Sequence, residues 1–403
     1  RRPKFACASI RSEESFNRQC LPMALTMQQP LLIASSSPSS KSISRCFLLS
    51  LLAFLSSATL ITFFIPSSHL LDLCDHAPAA KTPCRQILSK FIPRTTSRRN
   101  VLHLLLHDSA SRVHMAAGRA NLVASMVNDQ RQRAALAACA DLFDLSSDRL
   151  ADSMKALQSV GRESDAHTWL STVLTNHITC LDELSGQVKL ALESEMEDLV
   201  SRARTILSVF VSMVSSTNEI STRGEFPEWL TKRDRELLRL SADGITPDVV
   251  VAKDGTGNFS NISEAVAAAP TNSKTRYVIY VKKGTYVEQV LFGKSQKNIM
   301  LVGDGMDRTI ITGSLNVDDG STTFNSATVA AVGDNFIAQD LCVQNTAGPG
   351  KHQAVALRLG ADKSVINRCK LDAYQDTLYA HSNRQFYKEC NVTGTVDFIF
   401  GNA

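Results

Sequence analysis

The chain has 403 residues, 44% of them hydrophobic and 20% charged. It is long enough for two domains and too apolar for a disordered chain. The net charge of +4 comes from the beginning: residues 1–45 carry seven Lys/Arg against Glu13 and Glu14, while residues from 244 onward hold fifteen charges of each sign. The charge therefore gives no reason to expect nucleic-acid or other polyanion binding.

Residues 1–69 read as a leader. Its segment 46–65, from Cys46 to Ile65, is uncharged, follows Lys41 and Arg45, and ends at Pro66. A run of about 20 apolar or small residues has membrane-spanning length, beyond a usual signal-peptide core of roughly 7–15. A transient membrane anchor and a long secretory signal both fit; a buried core helix fits less well. The sequence opens on Arg1, and Met23 or Met27 is a more conventional start, so residues 1–22 are expected to be extra or untranslated. The implied route is secretory, where cysteines can pair.

Residues 70–220 have helical texture. Leu136, Cys139, Phe143, Leu150, Met154 and Leu157 recur at helical spacings, and Ala203, Ile206, Leu207, Phe210, Met213 and Val214 repeat the pattern. Short polar breaks such as Gly161-Arg162-Glu163-Ser164 suggest an antiparallel bundle. Cys74 and Cys84 lie close enough in sequence to staple a helical hairpin, and Cys139 and Cys180 can tie two helices; four free buried thiols is the alternative. His103, His107, His114, His167 and His177 are scattered and read as surface or packing residues. With AACADLFDLSSDRLADS (Ala137 to Ser153) and TWLSTVLTNHITCLDEL (Thr168 to Leu184), this region resembles the plant invertase and pectin-methylesterase inhibitor domain. The resemblance implies an all-α four-helix bundle with a helical hairpin and two disulfides in that sequential order.

Residues 221–245 read as a linker. FPEWLTKRDRELLRLSADG (Phe226 to Gly244) breaks the helical pattern and is dense in charge, as a solvated spacer would be. It also resembles the processing site between the two domains of plant pectin methylesterase precursors, cut by a subtilisin-like protease. The tetrad here runs from Arg235 to Leu238, with Glu236 in place of a second basic residue. Cleavage is expected after Leu238.

Residues 246–403 turn to short β-branched and aromatic runs separated by Gly, Asp and Asn: Val249 to Val251, Tyr277 to Val281, Ile299 to Val302, Thr328 to Val332. Pattern alone leaves a β-sandwich and a solenoid open. Asp376 and Asp397 are 21 positions apart, and Gln353 and Gln375 are 22 apart, near the coil length of a parallel β-helix, where equivalent positions stack. Carboxylates beside amide donors suit ester hydrolysis.

The motifs decide between the folds. VVVAKDGTGNFSNISEAVAAAP (Val249 to Pro270), KKGTYVEQV (Lys282 to Val290), LVGDG, TTFNSATVA, FIAQDLCVQNTAGP, HQAVALR (His352 to Arg358) and DAYQDTLYAHSNRQFYKECNVTGTVDFIFGNA (Asp372 to Ala403) resemble, in order, the catalytic domain of plant pectin methylesterases. That resemblance implies a right-handed parallel β-helix, here its first half only, acting on methyl-esterified homogalacturonan of the cell wall. It implies Asp397 as nucleophile, Asp376 as general acid and base, Gln375 and Gln353 as oxyanion and substrate donors, and Thr323 as a substrate contact. No metal or cofactor is implied. Phe398 is expected to line the sugar groove while Phe400 packs inside; Tyr379 reads equally as a sugar contact or a turn cap. Glu288 reads as structural, and His352 and His381 as non-catalytic. Asn258, Asn261 and Asn391 sit in glycosylation sequons, of which Asn391 is the one not expected to be used.

Family catalytic domains run on beyond the nucleophile motif, with an arginine, a tryptophan and a cysteine to pair with Cys390. The expectation is therefore a fragment of a longer enzyme, with little or no activity alone; Cys369 is the nearby alternative partner of Cys390, and Cys342 a core residue. The leading reading is a secreted pectin methylesterase precursor whose helical domain inhibits or chaperones it. The alternative is a binding protein whose bundle acts on a pectin methylesterase or an invertase. A pectate-lyase-like β-helix would need an acidic calcium site, and no suitable carboxylate cluster is visible.

Overall fold

The computed structural model describes residues 71–76, 81–91, 95, 97–214 and 225–403. The leader and its 46–65 segment lie outside them. Among the described residues no helix is long and apolar enough to cross a membrane.

The first half is a ring of four long helices: α2 (Arg98–Met126), α3 (Gln130–Ala156), α4 (Glu163–Glu183) and α5 (Gly186–Val211), preceded by α1 (Lys81–Ser89). Each of α2 and α4 packs on both α3 and α5. The connections are short, which makes chain neighbours antiparallel. The Asp129 carboxylate starts α3 by accepting from the Gln132 N–H at 2.7 Å. Leu136, Cys139, Phe143 and Leu150 are buried, as are Ala203, Ile206 and Phe210. Met213 and Val214 fall beyond the end of α5, yet still pack on this core. Cys74–Cys84 and Cys139–Cys180 are disulfides, the second joining α3 to α4.

The second half is a parallel β-solenoid of three sheets. Sheet A runs β1 (Val249–Val251), β2 (Tyr277–Val281), β5 (Ile299–Gly303), β8 (Ile337–Gln339), β11 (Ser364–Asn367), β14 (Gln385–Lys388). Sheet B runs β3 (Gly284–Val287), β6 (Thr309–Gly313), β9 (Cys342–Asn345), β12 (Lys370–Asp372), β15 (Asn391–Thr393). Sheet C runs β4 (Val290–Phe292), β7 (Val329–Ala331), β10 (Leu357–Leu359), β13 (Leu378–Ala380), β16 (Ile399–Gly401). From β2 onward each coil contributes one strand to each sheet, and β1 adds a sixth strand to sheet A. In sheet C, Val290 pairs with Val329, Val329 with Leu357, Leu357 with Leu378, and Leu378 with Ile399. Only the last two steps keep the regular 21-residue advance, because earlier coils carry long loops. Helix α7 (Ile262–Ala268) packs its buried Ile262, Ala265 and Val266 against the first strands. Glu288 is structural: its two oxygens accept from the Ile262 and Ser263 N–H groups at 2.9 Å, capping α7.

The linker differs from the spacer expected. Lys232–Arg239 forms a helix, α6, and Phe226, Leu230, Leu238 and Ile245 cluster with Val278, Met300, Val302, Ile337 and Val365 of sheet A. Its charges obscured this in the sequence. The four apolar side chains point to one side, so the segment covers an outer sheet face that would otherwise expose hydrophobic residues.

Candidate active site

The two aspartates occupy equivalent positions of neighbouring coils. The Asp376 N–H donates to the Val396 carbonyl at 3.1 Å, and the Leu378 N–H to Phe398 at 2.9 Å, a parallel ladder that sets Asp397 against Asp376. Both residues leave the strand conformation, with φ of 68° at Asp376 and 47° at Asp397. Positive φ is costly for a side-chain-bearing residue and occurs where surrounding structure enforces it. Here the enforcement is visible. Thr377 Oγ1 donates to the carbonyls of Thr393 (2.8 Å) and Tyr374 (3.2 Å), and the Thr395 N–H reaches Tyr374 at 2.8 Å. A Cβ on Gly394 would lie 2.4 Å from both Phe398 Cβ and Thr377 Oγ1. Only glycine lets the two loops stack this closely.

The paired carboxyls have unequal surroundings. Asp376 is 6% exposed, whereas Asp397 is exposed. Burial, and then the Asp397 charge, push the Asp376 carboxyl up to about 6. Gln353, Gln375 and Thr323 are half-buried. The Ala354 N–H donates to the Gln375 carbonyl at 3.2 Å, placing the two glutamines on adjacent coils, and the Gln353 carbonyl accepts from Val317 at 3.1 Å. Asn345 Nδ2 ties Leu315, Ser326 and Val355 carbonyls together, and so fixes the long loop that carries Thr323. Phe398 is 38% exposed.

Sheet C has an outward row that the sequence reading did not assemble. Leu357, Leu359 and Leu378 point into the core, so the intervening Arg358, Tyr379 and Phe400, which are in register, face outward. Tyr379 and Phe400 stack at 4.2 Å, and the Arg358 guanidinium lies 3.4 Å over the Phe324 ring. Phe400 thus belongs to the outer face rather than the core expected for it. The signal was present: Arg358 closes HQAVALR, at the middle of a three-residue strand.

Helices α3 and α4 lie on this face. Trp169 Nε1 donates to Asp362 (3.0 Å), Thr172 Oγ1 to Asn383 (2.7 Å), and Thr179 Oγ1 bonds His381 Nε2 at 3.0 Å. Arg149 pairs with Asp334, Lys294 with Asp144 (2.6 Å) and Asp148 (2.9 Å), and Arg384 with Asp165 (2.6 Å). Arg358 and His381 are buried beneath the helices. Burial pulls the Arg358 guanidinium down to about 10; burial and the Arg358 charge hold His381 near 3, hence neutral. His352 stands on the surface. Arg235 and Leu238 lie in α6 on sheet A. Cys342, Cys369 and Cys390 are free thiols, and Cys390 adjoins Cys369 through the bond from the Asn391 N–H to the Cys369 carbonyl, 2.9 Å.

Residues 248–403 match the family model Pectinesterase, and residues 69–214 match Plant invertase/pectin methylesterase inhibitor. A pectinesterase/pectinesterase inhibitor of Ficus pumila var. awkeotsang is 51% identical over 82% of this chain and 63% of its own length. Pectinesterase/pectinesterase inhibitor 18 of Arabidopsis thaliana is 48% identical over 93% of this chain and 71% of its own. Among solved structures, a pectin methylesterase from carrot is 63% identical over 40% of this chain and 50% of that one, with a TM-score of 0.39. The chain thus spans between three-fifths and three-quarters of the length of these two sequence relatives. It belongs to the pectinesterase family, in the branch that places an inhibitor-type helical domain ahead of the esterase domain.

Proposed function

We propose that the protein hydrolyses methyl esters of cell-wall homogalacturonan, releasing methanol and leaving a free carboxylate. The reading rests above all on Asp376, a buried carboxyl pushed up to about 6 and stacked one coil from the exposed Asp397. Asp397, ionised, attacks the ester carbonyl carbon. Asp376, protonated, gives its proton to the departing methoxide, so that neutral methanol leaves and the galacturonyl group remains on Asp397 as a mixed anhydride. Ionised Asp376 then takes a proton from water; the resulting hydroxide attacks the acyl-enzyme, freeing the polymer carboxylate and Asp397. Gln375 and Gln353 donate to the developing oxyanion without adding a counter-charge, an interaction whose loss typically raises the barrier by about 3 kcal/mol. Thr323 and Phe398 contact the sugar. No step needs a metal or cofactor.

In this reading the helical domain is an intramolecular inhibitor or chaperone, since α3 and α4 cover the outward row of sheet C beside the carboxyl pair. A subtilisin-like protease separates the two domains at the tetrad Arg235 to Leu238. The protein travels by the secretory route, with segment 46–65 as signal or transient anchor, and works in the cell wall. The test is methanol release from methyl-esterified polygalacturonate, by the 403-residue chain and by the chain extended with a relative's remaining C-terminal part. Asp397→Ala must abolish release by whichever is active. Release unaffected by that change sinks the assignment, and inhibition of an added esterase or invertase without release would favour the binding-protein alternative.

A further inference from the structure

The processing tetrad is part of the fold's own fastening. Arg235 does not project into solvent as a recognition side chain: its Nε donates to the Leu230 carbonyl at 3.0 Å, and its Nη2 to Pro227 (3.0 Å) and Glu228 (3.3 Å). Leu238 is 1% exposed among the side chains of sheet A. Its carbonyl, left without a helical partner at the end of α6, accepts from Asn367 Nδ2 at 3.0 Å and Arg368 Nη1 at 2.8 Å. Two residues on, the Leu240 carbonyl accepts from Gln339 Nε2 and Arg368 Nη2. The donors are themselves fixed, because Arg368 forks onto both oxygens of Asp340 at 2.7 Å, and Asn367 bonds Gln339 Oε1 at 2.9 Å. Upstream, Asp234 pairs with the buried Arg276 at 2.9 Å, and Phe226 lies edge-on to Phe386.

We infer that docking of residues 226–245 on sheet A shields the Leu238–Arg239 bond, so that hydrolysis there is confined to chains in which this strap has not yet settled. A protease must hold several residues around the scissile bond in extended form. In the folded chain the residues up to Arg239 are helical, the Leu238 and Leu240 carbonyls are taken and the residue before the bond is buried. Cleavage therefore requires local opening of the strap, and its rate falls with the population of the open form. The fold sets when the cut can happen: before docking it is available, afterwards it is closed. The biological sense of this timing rests on reading the tetrad as a processing site, but the shielding does not.

The test compares the bond in the full chain and in a synthetic peptide spanning 226–245. Subtilisin represents the processing class, and chymotrypsin, which also cuts after leucine, reads the bond independently. Mass spectrometry scores the new Leu238 C-terminus and Arg239 N-terminus. The bond is expected to be cut at least about 100-fold more slowly in the full chain. Glu236→Arg, an exposed change that makes the tetrad dibasic, should leave the full chain just as resistant. Asn367→Ala with Arg368→Ala should speed cutting at least about tenfold. Full-chain cutting within a few-fold of the peptide, or rapid cutting once Glu236 is arginine, overturns the shielding. A peptide that subtilisin ignores and chymotrypsin cuts, with the full chain resisting chymotrypsin, overturns the processing reading while supporting the shielding.

Discussion

Asp376 and Asp397 stand one coil apart with left-handed backbones of 68° and 47°, joined by the bond from the Asp376 N–H to the carbonyl preceding Asp397. The pairing cannot relax by rotating one strand, because Gly394 leaves no room between the loops. The two carboxyls therefore remain neighbours in unequal surroundings, one buried and one exposed, which is what separates their proton affinities.

That separation makes a stability prediction. Asp376 holds its proton to about 6 in the fold, against about 3.9 in an unfolded chain. The folded state then binds more protons between these values, so its advantage is full below about pH 4 and is lost as pH rises through 6. Asp376→Asn should raise urea stability at pH 7.5 by about 2–3 kcal/mol, relative to its effect at pH 3.5. An equal effect at both pH values would mean that Asp376 is not shifted.

His177 gives the opposite sign. It is 1% exposed inside the bundle, and burial pulls it down to about 4. An unfolded histidine titrates near 6.5, so the contribution of the neutral ring is present above that value and is lost as pH falls towards 4. His177→Leu should flatten the fall in bundle stability over that window by about 2–3 kcal/mol. Urea unfolding followed by helical circular dichroism at pH 7 and pH 4 measures it.

The two disulfides should contribute unequally. Cys139–Cys180 spans 41 positions and Cys74–Cys84 only 10. In the chain-entropy account their loss costs about 4 and about 3 kcal/mol respectively. Serine pairs at each site, compared by denaturant midpoint, test the order; a larger cost for the short loop would count against the entropic explanation here.

Trp169 fastens the bundle to the solenoid. Its indole donates to Asp362, where burial opposes the charge but the Arg384 guanidinium prevails and holds the carboxyl below its usual range. Trp169→Phe keeps most of the apolar contact and removes one charge-assisted hydrogen bond, about 1.5–3 kcal/mol. Hydrogen exchange at Tyr379 to His381, beneath α4, should accelerate by at least about tenfold. No change there would place the fastening elsewhere.

Much was legible in the chain. The apolar stripe of α3, the cysteine pairs and the short β-branched runs each report a local constraint: helical period, loop length or strand propensity. The 21-residue spacing of the aspartates also survives, since a solenoid converts sequence distance directly into stacking. Other features could not be read that way. The strap's charges hid the side it turns to sheet A, and Phe400, expected to face opposite to Phe398, stands in register with the outward Tyr379, because residues two apart in a strand share a face.

The sequence by itself determined the residue types, the coil-length spacing and the two-part organisation, because these depend on local propensity and on motif order. Tertiary structure alone decided that Asp376 is buried while Asp397 is exposed, that α3 and α4 cover Arg358 and Tyr379, and that Leu238 is fastened to sheet A. Burial and the occupation of a carbonyl by a distant donor are properties of surfaces brought together from far apart in the chain, and no local pattern encodes them.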